Sequence, residues 1–197
     1  MPEVWGTEHG VMWALDLPAD PPAAAAPAGV RVAEVEASDA AALAAAMDVP
    51  GAEVAGRRDR GCRVFGAWCD GELASYCWVS TGRQHVGELA RTLLLPEGDA
   101  YVWDCATLPR FRGRGIYTHL LRSIVRALSG DGVHRLWIGT GQANEASLRA
   151  FRSAGFQPAI TMTALRLLGR GFVLRFGAAP GADPELVAAA RRVLLGS

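Results

Sequence analysis

Arg110, Arg112 and Arg114 crowd the short stretch Pro109-Arg-Phe-Arg-Gly-Arg-Gly115, and an amphipathic segment follows at once. A helix that starts at such a loop leaves its first N–H groups without intrahelical partners and turns the positive end of its dipole toward the loop. Amides so placed bind anions, glycine lets a phosphate approach the backbone, and the arginines add charge, so a phosphate-bearing ligand is expected here. Just upstream, Asp104 is a carboxylate within the apolar run Tyr101-Val-Trp-Asp-Cys-Ala106. A buried acid needs a partner and is suited to take a proton, which makes Asp104 the first candidate for a general base. Glu88 and His85, in the polar segment that leads into that run, are second choices. Cys105 is a nucleophile on paper, but nothing near it in sequence activates it, and a packed thiol is expected.

Two familiar phosphate loops do not fit. A P-loop requires G-x-x-x-x-G-K-[ST], and no Lys stands near Gly113 or Gly115. A dinucleotide fingerprint requires a third Gly or Ala where Thr118 stands and normally follows the first strand of its domain.

The elements that must position these residues read as alternating strands and helices. The apolar run Gly10–Leu17 is an edge strand or a capping arm, and Pro18–Pro27 is a linker. Val30–Val35 alternates as a half-buried strand, and Ser38 caps an alanine-rich helix to about Met47. Asp48–Gly61, with Arg57-Arg-Asp-Arg60, is a surface loop or irregular helix whose charges form a solvated face. Cys62–Trp68 and Leu73–Ser80 form a hairpin about Asp70-Gly71, and Ala100–Leu108 is another strand after the polar segment 81–97. Ile116, Leu120, Leu121, Ile124, Val125 and Leu128 share one helical face, and Arg135–Thr140 follows as a strand parallel to Ala100–Leu108. A short helix after Asn144 stops at Gly155, Ala159–Leu168 and Phe172–Phe176 are strand-like, and Asp183-Pro-Glu185 opens a last helix.

Composition excludes several classes. With 197 residues, half of them apolar, one core is expected. Twenty basic residues balance twenty acidic ones, so the field that draws nucleic acid or an anionic membrane is missing at the level of the whole chain. No apolar run reaches the roughly 20 residues of a bilayer span, and a cytoplasmic protein is expected. Cys62, Cys69, Cys77 and Cys105 form no C-x-x-C pair and the four histidines no H-E-x-x-H pair, so neither a metal site nor a disulfide framework is expected.

Taken together, the order from Leu108-Pro109 through the Arg-Gly loop, helix, strand, Asn144 and a helix ending in Ala154-Gly-Phe156 resembles the GNAT superfamily of acyl-CoA-dependent N-acyltransferases. The likeness is strongest over about residues 100–160 and rests on element order over 30–99. It implies an α/β fold whose mixed, mostly antiparallel central sheet, flanked by helices, splays at the acyl-CoA site. It divides the chain into an arm and linker (1–29), an acetyltransferase domain (30–176) and a C-terminal helix packed on it (177–197). The family loop R/Q-x-x-G-x-G/A is matched by Arg112 and Gly115, with Tyr117 in place of the last small residue. Carried over as acetyl-CoA (or other acyl-CoA) contacts are Arg112, Gly113, Arg114, Gly115, Tyr117 and Thr118 at the pyrophosphate. Ala106, Thr107 and Leu108 are carried over along the pantetheine arm, and Asn144, equally readable as a helix cap, near the thioester.

Tyr117 can still donate its N–H, provided its ring points away from the phosphates. The family's usual proton donor is a Tyr where this chain has Phe151, which has no hydroxyl. The implied activity is transfer of an acyl group to the amine of a small molecule by direct attack on the thioester, with Asp104 and then Glu88 as candidate catalytic residues. Phe151 keeps a second reading open, a catalytically impaired acyl-CoA-binding sensor of the same fold. Homodimerisation, through Gly10–Leu17 or the last helix, is left open.

Overall fold

Asp70 and Gly71 both take positive φ, 52° and 86°, as a two-residue hairpin turn requires, and they close the predicted hairpin. The computed structural model describes residues 5–18, 26–89, 91–167 and 170–195. In chain order the elements are β1 (Trp5–Asp16), β2 (Val30–Glu34), α1 (Ala40–Met47), α2 (Gly51–Asp59), β3 (Arg63–Cys69), β4 (Glu72–Thr81), β5 (Arg83–Val86) and β6 (Arg91–Leu94). There follow β7 (Asp99–Thr107), α3 (Ile116–Gly130), β8 (Arg135–Gly141), α4 (Glu145–Ala154), β9 (Gln157–Leu167), β10 (Arg170–Ala178) and α5 (Pro184–Leu195). Among the described residues eight strands form one sheet in the order β10-β9-β1-β8-β7-β4-β3-β2, mostly antiparallel, and β5 and β6 form a separate ribbon. The mixed α/β fold with flanking helices is the one anticipated.

Three cores flank the sheet. On one face α3 and α4 cover the central strands, with Ile116, Leu120, Leu121, Ile124, Val125 and Leu128 all buried on the predicted face of α3. The opposite face is shared: Leu43 and Val54 from α1 and α2 pack on Tyr76 and Trp78, while α5 and the ribbon pack on Met12, Trp137 and Ile160.

Several sequence expectations are corrected. The run Gly10–Leu17 is not an edge or an arm, because β1 pairs antiparallel with β8 on one side and β9 on the other. Its alternate residues are buried on opposite faces, Val11 and Trp13 toward α3 and α4, Met12 and Ala14 toward α5. No side chain caps α1: the turn Ala37–Asp39 leads into it and Ser38 makes no cap. Residues 48–61 contain the regular helix α2, and the polar segment 81–97 folds into the ribbon with Leu93 and Leu95 buried. Of the linker, residues 19–25 lie outside the described residues, as do 168 and 169 between the last two strands.

β7 and β8 are the parallel pair expected from the strand-helix-strand unit, but they pair only from Asp99↔Arg135 to Val102↔Ile138. Beyond that point the strands part. On the other flank of β7 the register against β4 slips between Tyr76↔Ala106 and Trp78↔Trp103, so Asp104 and Cys105 together face Cys77. This is a β-bulge, with Asp104 at a φ of 42°, and it lies where β7 leaves β8.

Candidate active site

The loop between β7 and α3 is built to present amides. A turn over Pro109–Phe111 follows β7, with Phe111 buried beneath it as an anchor. Gly113 and Gly115 take φ of 76° and 73°, a conformation L residues avoid, and a Cβ at either would meet nothing within 4 Å. Glycine is therefore needed for the backbone path, and the space above it is open. Gly115 is the N-cap of α3, no side chain caps the helix, and its first turn holds no acid. The first helical bond runs from His119 N–H to Gly115 O, 3.0 Å, and among the described residues the amides from Gly113 to Thr118 make no hydrogen bond. These amides fit a pyrophosphate.

The arginines divide the work differently from the sequence reading. Arg110 is paired with Glu72, and Arg112 folds back so that its Nε donates to Thr107 O at 3.1 Å, tying the loop to the end of β7. Arg114 lies with its guanidinium carbon 5.6 Å from the Phe111 ring centre and is exposed. On its β4 flank the end of β7 is tied down: Ala106 O accepts from Ser75 Oγ at 2.8 Å, and Leu108 N–H donates to Ala74 O at 2.9 Å.

On the sheet face opposite α3, a cavity of about 1230 Å³ opens where β7 and β8 part. Its walls include His9 from β1, Arg57 from α2, His85 from β5, Trp103 and Asp104 from β7 and Gln142 after β8. Asp104 is there, but not as a buried acid: the bulge turns it outward, its side chain is 34% exposed, and it is ion-paired with Arg57. Sequence reading placed Arg57 on a solvated face. Instead its side chain is only 12% exposed, its Nε donates to Glu53 at 2.9 Å, and its guanidinium carbon lies 5.1 and 4.7 Å from the Trp78 and Trp103 ring centres. Burial pulls the Arg57 guanidinium down, but hydrogen bonds to Glu53 and Asp104 outweigh it and the net shift is upward, while Arg57 holds Glu53 below the usual range. Tyr76, pushed up to about 12 by burial and then by the charge of Asp104, stays a phenol beside this pair.

Glu88 falls in the turn Gly87–Leu89 beside the cavity, and its side chain lies outside the described residues. His85 is exposed, with Nδ1 3.4 Å from Thr92 Oγ1, and His9, which sequence reasoning missed, stands with Nδ1 3.3 Å from Thr163 Oγ1. Its only sequence signal was its place beside the Gly10–Leu17 run. The indole of Trp103 donates to Ser80 Oγ at 2.7 Å, and Ser80 Oγ donates to Gln84 Oε1 at 2.8 Å, fixing the ribbon against β7.

Asn144 caps α4: its Oδ1 accepts from Ser147 N–H at 3.2 Å, and its side chain is exposed. Phe151 is 1% exposed and packs edge-on to Trp13 at 6.0 Å and beside Phe156 at 6.2 Å, so this position offers only hydrocarbon. Tyr117 turns its ring inward, away from the loop amides, and burial, followed by the neighbouring Cys105, pushes its phenol well above its ordinary value. Burial likewise raises the Cys77 thiol, next to that of Cys105. Among the described residues no cluster of His, Cys, Asp and Glu could hold a metal ion, and no helix is long and apolar enough to cross a membrane.

The sequence model of the Acetyltransferase (GNAT) family matches residues 32–156. No curated protein gives a significant match. Among solved structures, a GCN5-related N-acetyltransferase from Sphaerobacter thermophilus superposes with a TM-score of 0.65 at 16% identity, over 85% of this chain and 54% of that one. This chain thus spans about half the length of that relative. The ribosomal-protein-S18-alanine N-acetyltransferase from Escherichia coli gives 0.53 at 15% identity, over 78% and 99%. AAC(6')-Iy, solved with the bisubstrate analog CoA-S-monomethyl-acetylneamine, gives 0.52 at 16% identity, over 65% and 90%. At these identities the structures establish the shared fold.

Proposed function

Because the chain belongs to the acetyltransferase (GNAT) family, whose members use acetyl-CoA or another acyl-CoA, we propose that it transfers an acyl group to the amine of a small molecule. The observation that carries this reading is the parting of β7 and β8 between an open-amide loop on one side and the cavity on the other. Gly113, Arg114, Gly115, Tyr117 and Thr118 hold the pyrophosphate through their amides, and Arg112 holds the loop in place. Ala106, Thr107 and Leu108 guide the pantetheine arm through the gap, and Asn144 borders its thioester end. When bound, the coenzyme supplies an activated acyl group.

The acceptor amine enters from the cavity and attacks the thioester directly. Asp104, exposed to the cavity and held by Arg57, orients the amine and takes its proton, directly or through a water, while Glu88 stands by on the ribbon turn. Attack requires an uncharged amine, and a fixed carboxylate at the cavity wall serves that need. Phe151 favours a second reading, an acyl-CoA-binding protein without turnover, because its buried ring brings no proton to a leaving thiolate.

One experiment separates the two. The protein is incubated with acetyl-CoA and a panel of amines, amino acids and amino sugars while free thiol is followed, and melting is recorded with coenzyme A. Thiol release that Asp104→Asn abolishes, with coenzyme binding intact, is expected. Stabilisation of about 2.7 kcal/mol at 100 times the Kd without turnover would favour the sensor, and no stabilisation overturns both readings.

A further inference from the structure

The cavity beside Asp104 is shaped by what its floor lacks. Where β8 leaves β7 beyond Val102↔Ile138, the residues that β8 brings to the cavity include Gly139 and Gly141, and directly across the ladder from Gly141 stands Gly10 of β1. None of the three takes a positive φ. A Cβ added at Gly139 would lie 3.4 Å from the Tyr101 hydroxyl, at Gly10 3.5 Å from Met162 Cε and at Gly141 3.8 Å from His9 O, all ordinary contacts. Neither backbone conformation nor packing therefore calls for glycine here, although glycine weakens a strand. A strand glycine free of both demands marks a place where a ligand comes close to the backbone.

Larger side chains border this floor on both sides. Met162 stands opposite Gly10 on β9, and Tyr101 and Trp103 stand on β7. In the sheet order β9-β1-β8-β7 the bare trough is thus two strands wide. Its floor brings no side-chain hydrogen-bonding group, and its flanks are a thioether and two aromatic rings, groups that pack well on another ring. Asp104 follows Trp103 into the same cavity.

From this shape we propose that the acceptor is a primary amine carrying a flat apolar ring, with the ring lying on Gly10, Gly139 and Gly141 between Met162 and Trp103 and the amine reaching Asp104. The assignment rests on the acyl-transfer reading above and adds the acceptor's class to it. A hydroxylated ring, such as that of an amino sugar, would give up hydrogen bonds to water and find none on this floor.

The test is calorimetry of 2-phenylethylamine, ethylamine and glucosamine, with coenzyme A bound, against the parent protein, Gly141→Val and Gly10→Ala. The ring amine should bind the parent at least about 10-fold more tightly than either other amine. Filling the floor should weaken that binding at least about 10-fold in each variant, while coenzyme A affinity stays within about twofold of the parent. Gly10→Ala, the smaller change, carries the test should Gly141→Val fail to fold. Unchanged affinity for the ring amine in the folded variants overturns the glycine floor. Tighter binding of glucosamine, or no binding of the ring amine to the parent, overturns the acceptor class. Those results leave the acyl-transfer reading standing, because thiol release from acetyl-CoA is followed separately over the wider amine panel. Failure of the parent to bind coenzyme A overturns the underlying reading first.

Discussion

Replacing Arg57 by Met deletes one charge and keeps a stem of similar length under Trp78 and Trp103. Lost together are the charge-assisted bond to Asp104, the bond to Glu53 at 2.9 Å, and ring contacts at 5.1 and 4.7 Å. A bond to a charged group contributes about 1.5–3 kcal/mol and a partly exposed cation–ring contact about 0.5–1 kcal/mol. Glu53 stands in water and regains its hydration, and Asp104 is 34% exposed, so only the bond to Asp104 and the cation–ring contact count, each at its lower end. The expected cost is about 2 kcal/mol, which for a chain of this size lowers Tm by roughly 4–8 °C. Thermal and urea unfolding of Arg57→Met, Asp104→Asn and the double variant complete the cycle. The two changes should couple by about 1 kcal/mol, because each removes the same bond. Additivity within about 0.5 kcal/mol would refute the pairing as the device that fixes Asp104 at the cavity wall.

Gly115→Ala should cost about 1–2 kcal/mol of stability from backbone strain alone, since no atom crowds the new methyl group, and should weaken coenzyme A binding measured by calorimetry. Equal affinity in that variant would remove the amides of this loop from the binding site. Asp99, whose Oδ2 accepts from the Trp137 indole at 2.7 Å, has its carboxyl raised above an ordinary 3.8, chiefly by burial. A raised carboxyl stabilises the fold below its unfolded value, and that contribution is lost as pH rises through the folded value. Asp99→Asn, which keeps an acceptor for the indole, should therefore flatten the fall in stability over this window when chemical unfolding is compared at stepped pH. A parallel pH profile in the variant would show that Asp99 does not carry the effect.

What could be read from the sequence was whatever adjacent residues determine. Asp70-Gly71 dictates its own turn, and the six apolar residues of α3 dictate its buried face. Gly10–Leu17 held a signal that was misread: apolar residues at both odd and even positions mark a strand buried on both faces, which an edge strand is not. Asp104 was found, but its outward turn was not, because the bulge arises from the mismatch of β4 against β7 and belongs to neither strand alone. Arg57 was hidden for a related reason, since its partner lies 47 positions away and its aromatic supports come from β4 and from the partner's own strand β7. His9 reaches the cavity only because β1 runs inside the sheet, beside β8 and β9.

That interior position of β1 has a consequence for how the molecule assembles. Asp16 pairs with Arg135, 119 positions later, and among the described residues β9 with β10 joins the remaining strands only through β1. Contacts this distant close slowly, since the entropy of the intervening loop is lost before they form. During synthesis the first strand therefore waits, without either neighbour, until β8 and β9 have emerged. Strands β2 to β7 with α3 can pair before then, and insertion of β1 is the step that joins the finished loop and half-sheet to the wall that closes the cavity.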